Sequence, residues 1–306
     1  MRENATSARE PEPRIWNEIF GADGSPRPPF RPLIERLAVY SRSELRGLNE
    51  RVEATLREMG VRFNVRLPRV QGPRDWFCDL LPQVFDPTEW DLVERGFRQR
   101  LEAFEALLHD IHGPRHILRD GALPAAPVLG SPYFEPAAGG LRPARGAFLH
   151  LSGVALARDV HGRLSVKHHY FSNASGISYM MQNRRALARV VPGWFEGEPV
   201  LPIADAPLGI LEELRGMMPD TLDEPTVVLL TPGVFSASYS EHTMLARRMG
   251  MPLVQGSDLV VLDDRVYLKT IKGLERVEVI YRRISDTWLD PLVFDSSSVL
   301  GVPGLV

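Results

Sequence analysis

Val227-Val228-Leu229-Leu230-Thr231-Pro232-Gly233 is an unbroken apolar run, rich in β-branched residues, that ends in a tight Thr-Pro-Gly loop. A strand without polar alternation has both faces covered, as in a parallel sheet flanked by helices. The sequence on either side agrees. Upstream, Leu208 to Met218 has helical spacing. Downstream, a helix runs through Leu245 to Met249 and stops at Gly250. Short strands are then predicted at Pro252–Val254, Leu259–Leu262, Val266–Thr270 and Val277–Arg283, with Asp263-Asp264 as a hairpin turn. This alternation of helix and strand gives an α/β fold class.

Further out lies a second stretch, Val166 to Arg185, which leaves a strand, crosses Ser172-Asn173-Ala174-Ser175-Gly176 and enters a helix over Tyr179–Val191. Such a passage aims backbone N–H groups at one spot, as anion sites do. The same composition also suits an ordinary turn. Ala147–Ala157 and Leu164–His168 form the hairpin that feeds it, turned at Asp159 to Gly162. Before that, Asp86 as N-cap, Pro87 in the first turn and Glu89 as capping-box partner start a helix, and Trp90, Val93, Phe97, Leu101, Phe104, Leu108 and Ile111 make its core stripe. His109, His112 and His116 read as solvated or capping histidines rather than a zinc site. Ser43 caps an earlier helix with Leu45, Leu48, Val52, Leu56 and Met59 inside and Gly60 as its stop, and Val61–Leu67 alternates as a strand. Residues 1–32 read as a flexible arm in which Ile15, Trp16, Ile19 and Phe20 supply an apolar anchor.

Composition excludes some partners. A net charge of −3 over 306 residues gives no electrostatic reason for nucleic acid or an anionic membrane. No apolar run approaches the roughly 20 residues of a membrane helix. A single cysteine, Cys78, rules out an intramolecular disulfide framework. With no apolar block behind Met1–Pro13 to act as a secretory signal, the chain is expected in the cytoplasm.

Ordered blocks then resemble a known family. Asp79-Leu80-Leu81-Pro82, Ile117-Leu118-Arg119-Asp120-Gly121, Ala157-Arg158-Asp159, Ser175-Gly176 with Tyr179 and Asn183-Arg184, Thr231-Pro232-Gly233 with Tyr239 and Glu241-His242, Leu268-Lys269-Thr270, Arg282-Arg283 and Gly301 to Leu305 look like the circularly permuted type 2 ATP-grasp proteins, related to the glutathionylspermidine synthase type. The resemblance implies a permuted ATP-grasp catalytic lobe over 33–204 and a smaller α/β pre-ATP-grasp domain over 205–306. It also implies ATP and Mg²⁺ as cofactors, and ligation of a carboxylate, activated as its acylphosphate, to an amine of a small molecule or peptide. Carried over position by position, Arg184 and Arg282 would be catalytic. Ser175, Gly176, Tyr179 and Lys269 would bind the nucleotide, Tyr239, Glu241, His242 and Arg283 the substrate, and Asn183 the metal; Glu241 and His242 read equally as residues that open a helix, where a carboxylate suits the N-terminal dipole and needs no ligand.

The chain departs from that pattern where the metal is held. The family reads Gly-Asp-Arg, three residues, Pro-Ser-Gly-x-Gly-Tyr, two residues, Glu-Asn-Arg. Here His169 replaces the Asp and Gln182 the Glu, while Ala174 and Ser178 replace the Pro and the second Gly. Mg²⁺ prefers carboxylate, phosphate and water oxygens, so an imidazole and an amide are poor substitutes. The resemblance also implies a further, nucleotide-clamping C-terminal lobe beyond Val306. Two expectations follow: a degenerate homologue that is not catalytic on its own, or an active ligase completed by a partner chain that supplies the missing lobe.

Overall fold

The computed structural model describes residues 16–67, 70–197, 199–218, 225–234 and 236–306. In chain order the helices are α1 Arg31–Leu37, α2 Arg42–Glu58, α3 Pro87–Ile111, α4 His116–Arg119, α5 Ala125–Leu129, α6 Ile177–Val190, α7 Ala206–Gly216 and α8 Tyr239–Met249. The strands are β1 Arg62–Leu67, β2 Val70–Asp75, β3 Gly153–Arg158, β4 Leu164–Tyr170, β5 Val227–Leu230, β6 Leu253–Val254, β7 Leu259–Leu262, β8 Arg265–Thr270, β9 Gly273–Arg276 and β10 Val279–Arg282.

β5 is the middle strand of a parallel sheet ordered β10-β5-β6. All four of its residues are buried. Because side chains alternate along a strand, Val227 and Leu229 pack with Leu211 and Leu214 of α7 and Leu245, Ala246 and Met249 of α8. Val228 and Leu230 face the opposite way, into a core with Val254, Leu259, Val277, Ile284, Leu289 and Val302. Each such side chain contributes about 1.5–3 kcal/mol on leaving water. The α/β reading therefore holds.

On that second face lies the antiparallel meander β7-β8-β9. Asp263 and Asp264 make its first turn with φ of 50° and 57°, the two left-handed residues of a tight hairpin. The sequence reading passes over β9, because Gly-Leu-Glu-Arg is exposed throughout and shows no apolar alternation. The C-terminal segment closes this side with its backbone pressed in: a Cβ on Gly256 would lie 2.3 Å from the Gly301 carbonyl oxygen, and one on Gly301 2.2 Å from that of Leu289.

A separate core joins α1, α2, β1 and α6 through Leu33, Leu48, Val52, Leu56, Val61, Tyr179, Ala186, Leu187 and Trp194. The cap of α2 is Ser41 rather than Ser43. Ser41 Oγ accepts the Glu44 N–H at 3.3 Å and the Ser41 N–H returns to Glu44 Oε2 at 2.7 Å, a complete capping box.

Two further expectations change. Asp86 does cap α3, accepting the Glu89 N–H at 2.9 Å, but the Glu89 carboxylate leaves the box to pair with Arg158. A guanidinium offers two charge-assisted bonds in place of one backbone bond. The α3 stripe is also not a buried core: only Ile111 is fully buried and Trp90 is exposed. Phe97 and Phe104 rest on His169 of β4, and Phe104 also on Phe171, and a two-stranded hairpin is too narrow to cover seven turns of helix.

From Trp16 onward the arm is packed rather than loose, while Ile15 and the residues before it lie outside those described. The Trp16 ring sits between the guanidinium groups of Arg27 and Arg158, 4.7 Å and 5.1 Å from its centroid. Gly162, at φ 83°, makes room for it: a Cβ there would fall 2.3 Å from the indole.

Candidate functional site

The loop between β4 and α6 meets the C-terminal ends of β5 and β10 at a buried junction. Gly176, at φ 113°, is the N-cap of α6 and supplies no side chain to cap it. The missing acceptor comes from α8. Glu241, 0% exposed, accepts the N–H groups of Gly176 at 2.7 Å and Ser178 at 3.2 Å through Oε1. Its Oε2 accepts from Arg283 Nη2 at 3.0 Å. Arg283, which follows β10, also donates from Nη1 to the Ala174 carbonyl and to Tyr281 Oη. Its Nε is buried without a partner.

His242, next to Glu241, points to a different neighbour. Its Nδ1 lies 2.8 Å from Thr231 Oγ1, at the end of β5, and that hydroxyl also accepts the Gly233 N–H. Burial, assisted by the nearby Arg283 charge, pushes the imidazole down to about 3. At neutral pH it is uncharged, so it is a poor proton acceptor and serves as a hydrogen-bonding strut. Tyr239 opens α8 and is half-buried.

The other sequence-assigned residues are engaged elsewhere. Asn183 Oδ1 accepts the Trp76 Nε1–H at 2.9 Å. Tyr179 is buried, stacks on Trp76 at 4.2 Å between centroids and donates to the Arg62 carbonyl; burial pushes its phenol up to about 12. Arg184 donates to the Leu201 carbonyl and burial lowers its pKa. Arg282 pairs with Asp286 at 2.6 Å, and Lys269 Nζ donates to the Ser257 carbonyl at 2.9 Å. Ser175 is exposed and Gln182 half-buried.

Of the nominated residues, then, Gly176, Glu241 and Arg283 converge directly, with His242 braced beside them. Ser178, Thr231 and Tyr281 complete the junction, while Trp76 holds Asn183 and Tyr179; none of the four was nominated as a site residue. Thr231 lay inside a quoted motif, but nothing in the spacing around Trp76 announces that it reaches α6.

The donor set does not fit magnesium. Both ring nitrogens of His169 are buried without partners, among Phe97, Phe104 and Phe171, and burial, with help from Arg100 and His168, lowers its pKa. The oxygen of Asn183 already accepts the Trp76 N–H, which leaves it one lone pair. Among the described residues no three His, Cys, Asp or Glu side chains stand close enough to share a metal ion. The histidines near the end of α3 have their own roles: His109 Nε2 meets the Gly146 carbonyl, His116 meets Asp110, and His112 stacks on Phe134. Among the described residues no helix is long and apolar enough to cross a membrane.

Known proteins extend this picture. The model of a family described as circularly permuted ATP-grasp type 2 matches residues 82–306. The chain is similar to the uncharacterized protein sll0335 of Synechocystis sp., with 38% identity over 292 residues, covering 95% of this chain and 61% of that protein. It is 40% identical to the uncharacterized protein Rv2411c of Mycobacterium tuberculosis over 95% of this chain and 52% of the relative, and 31% identical to the uncharacterized protein Rv2567 of the same organism over 95% and 34%. The chain thus spans from 34% to 61% of the length of these relatives.

Proposed function

Because the chain belongs to the circularly permuted ATP-grasp type 2 family, an ATP-grasp-type ligase family, we propose that it is a homologue which keeps the ligase framework but has lost the magnesium chemistry, and acts as a non-catalytic binding or assembly subunit. One observation carries this reading. Where the family would hold Mg²⁺, Asn183 gives its oxygen to Trp76 and His169 buries both nitrogens among phenylalanine rings. A hard dication needs several oxygen ligands in near-octahedral array; His169 supplies none, and Asn183 at most the one lone pair that Trp76 leaves. Without it the charge on a transferring phosphoryl group goes unneutralised.

Calorimetric titration with a non-hydrolysable ATP analogue tests this. The expected result is no Mg²⁺-dependent heat; saturable, Mg²⁺-dependent binding that weakens in Gln182→Ala overturns it.

The second reading is an active carboxylate–amine ligase whose nucleotide-clamping lobe comes from a partner chain, acting on a small molecule or peptide. The match to the family model over residues 82–306 favours it, since the family is one of ATP-grasp ligases. In that case ATP and Mg²⁺ binding should appear only after a partner is added.

A further inference from the structure

The junction at the start of α6 has the components of an oxyanion site and an internal occupant. Two N–H groups, those of Gly176 and Ser178, point at one oxygen from the N-terminus of a 14-residue helix, where the peptide dipoles favour negative charge. A guanidinium with only 2% of its side chain exposed contacts the other oxygen. The donor capacity exceeds what the occupant uses, because Arg283 Nε, equally enclosed, has no acceptor. The occupant is the carboxylate of Glu241, delivered by the first turn of α8.

We propose that this junction is a small-carboxylate site closed from within by Glu241, and that it accepts a free carboxylate once that side chain is shortened. In the native chain the Glu241 carboxylate excludes external anions from Gly176, so the backbone cradle legible in Ser175-Gly176 is shut to phosphate. It also ties the loop at Ala174 to the ends of β10 and α8. Any anion reaching Gly176 must first expel Glu241 and leave it buried or swing it outward. The inference stands apart from the metal-site reading, since neither His169 nor Asn183 takes part in it.

Chemical rescue tests the proposal. Glu241→Ala removes a CH2–COO⁻ unit, the size of one acetate, and leaves Arg283 as an unpaired buried cation. Its melting temperature should fall below that of the native chain. Sodium acetate should restore it saturably, sodium chloride at equal ionic strength should not, and the native chain should respond to neither. Adding Arg283→Met to Glu241→Ala should abolish the acetate effect. The proposal is overturned if chloride rescues as well as acetate, if acetate shifts the native chain equally, or if the double variant still responds. Should Glu241→Ala not fold in chloride, refolding yield is read instead: recovery in acetate supports the site, and equal failure in both salts overturns it. No magnesium or nucleotide enters these measurements, so their failure is distinct from failure of the ligase reading.

Discussion

Trp76 donates its indole N–H to Asn183 Oδ1 at 2.9 Å. The same ring stacks on Tyr179, one turn earlier on α6, so two residues expected to serve ligands fasten the end of β2 to α6. Asn183→Leu should cost about 1–2 kcal/mol, the loss of a part-buried hydrogen bond with its donor left unpaired. The measurement is the urea midpoint. An unchanged midpoint, with nucleotide binding lost, would restore Asn183 to the metal.

Removing one member of the Glu241–Arg283 pair should be far more damaging. Side-chain exposures of 1% and 2% mean that the survivor is left as a buried, uncompensated charge, typically at a cost of about 3–5 kcal/mol. Arg283→Met alone should therefore destabilise more than Arg283→Met combined with Glu241→Gln. A double-mutant cycle by denaturant unfolding measures the coupling, and strict additivity would sink the claim.

His169 leads to the opposite expectation. Its two nitrogens find no partners in an aromatic surround, so an apolar side chain of similar volume avoids the desolvation cost. His169→Leu should raise stability by about 1 kcal/mol, seen as a higher melting temperature. A loss of stability would mean that an unseen polar contact supports the imidazole.

The buried His242 makes stability depend on pH. Its folded-state value, about 3, lies below the ordinary 6.5, so between these values the unfolded chain binds the extra proton. The stabilisation is complete above about pH 6.5 and is lost progressively as pH falls towards 3, at up to about 1.4 kcal/mol per pH unit. Comparing unfolding free energies of the native chain and His242→Gln from pH 7 to pH 4 should show the native curve steeper by close to one proton. Parallel curves would refute it.

Asp290 holds the C-terminal segment. It is 0% exposed and accepts the N–H groups of Leu292, Gly304 and Val306 at 2.9, 3.2 and 3.0 Å. Burial pushes its carboxyl up, but the bonds from Val306, Leu292 and Gly304 outweigh this and leave it below the usual range. Asp290→Ala strands three donors and should cost about 2–4 kcal/mol. Hydrogen exchange should show residues 292–306 losing protection first.

Much of this was legible in the residues. Val227–Leu230 declared a two-faced strand because burial on both sides leaves no place for a polar side chain, and Gly60, Gly250 and Asp86 marked helix ends through local backbone chemistry. The α3 stripe misled, since amphipathic spacing tells which face is apolar but not how wide a partner covers it. The cap of α2 is expected at Ser43, although the residues themselves point to Ser41, which alone of the two has a Glu three residues on, the spacing of the capping box it forms with Glu44. Glu241 reads in the sequence equally as a substrate ligand and as a first-turn carboxylate of its own helix; it does stand in the first turn of α8, but its carboxylate accepts the N–H groups at the start of α6.

The sequence by itself determined the α/β class, most of the helix and strand order, the family, and that His and Gln stand at positions 169 and 182, because these depend on local periodicity and residue identity. Only the tertiary structure decided that Glu241 and Arg283 close the cradle at Gly176 and that Trp76 takes the oxygen of Asn183. These partners lie 65, 63, 42 and 107 residues apart along the chain, and no local pattern records which distant donor will reach a given acceptor once the cores have packed.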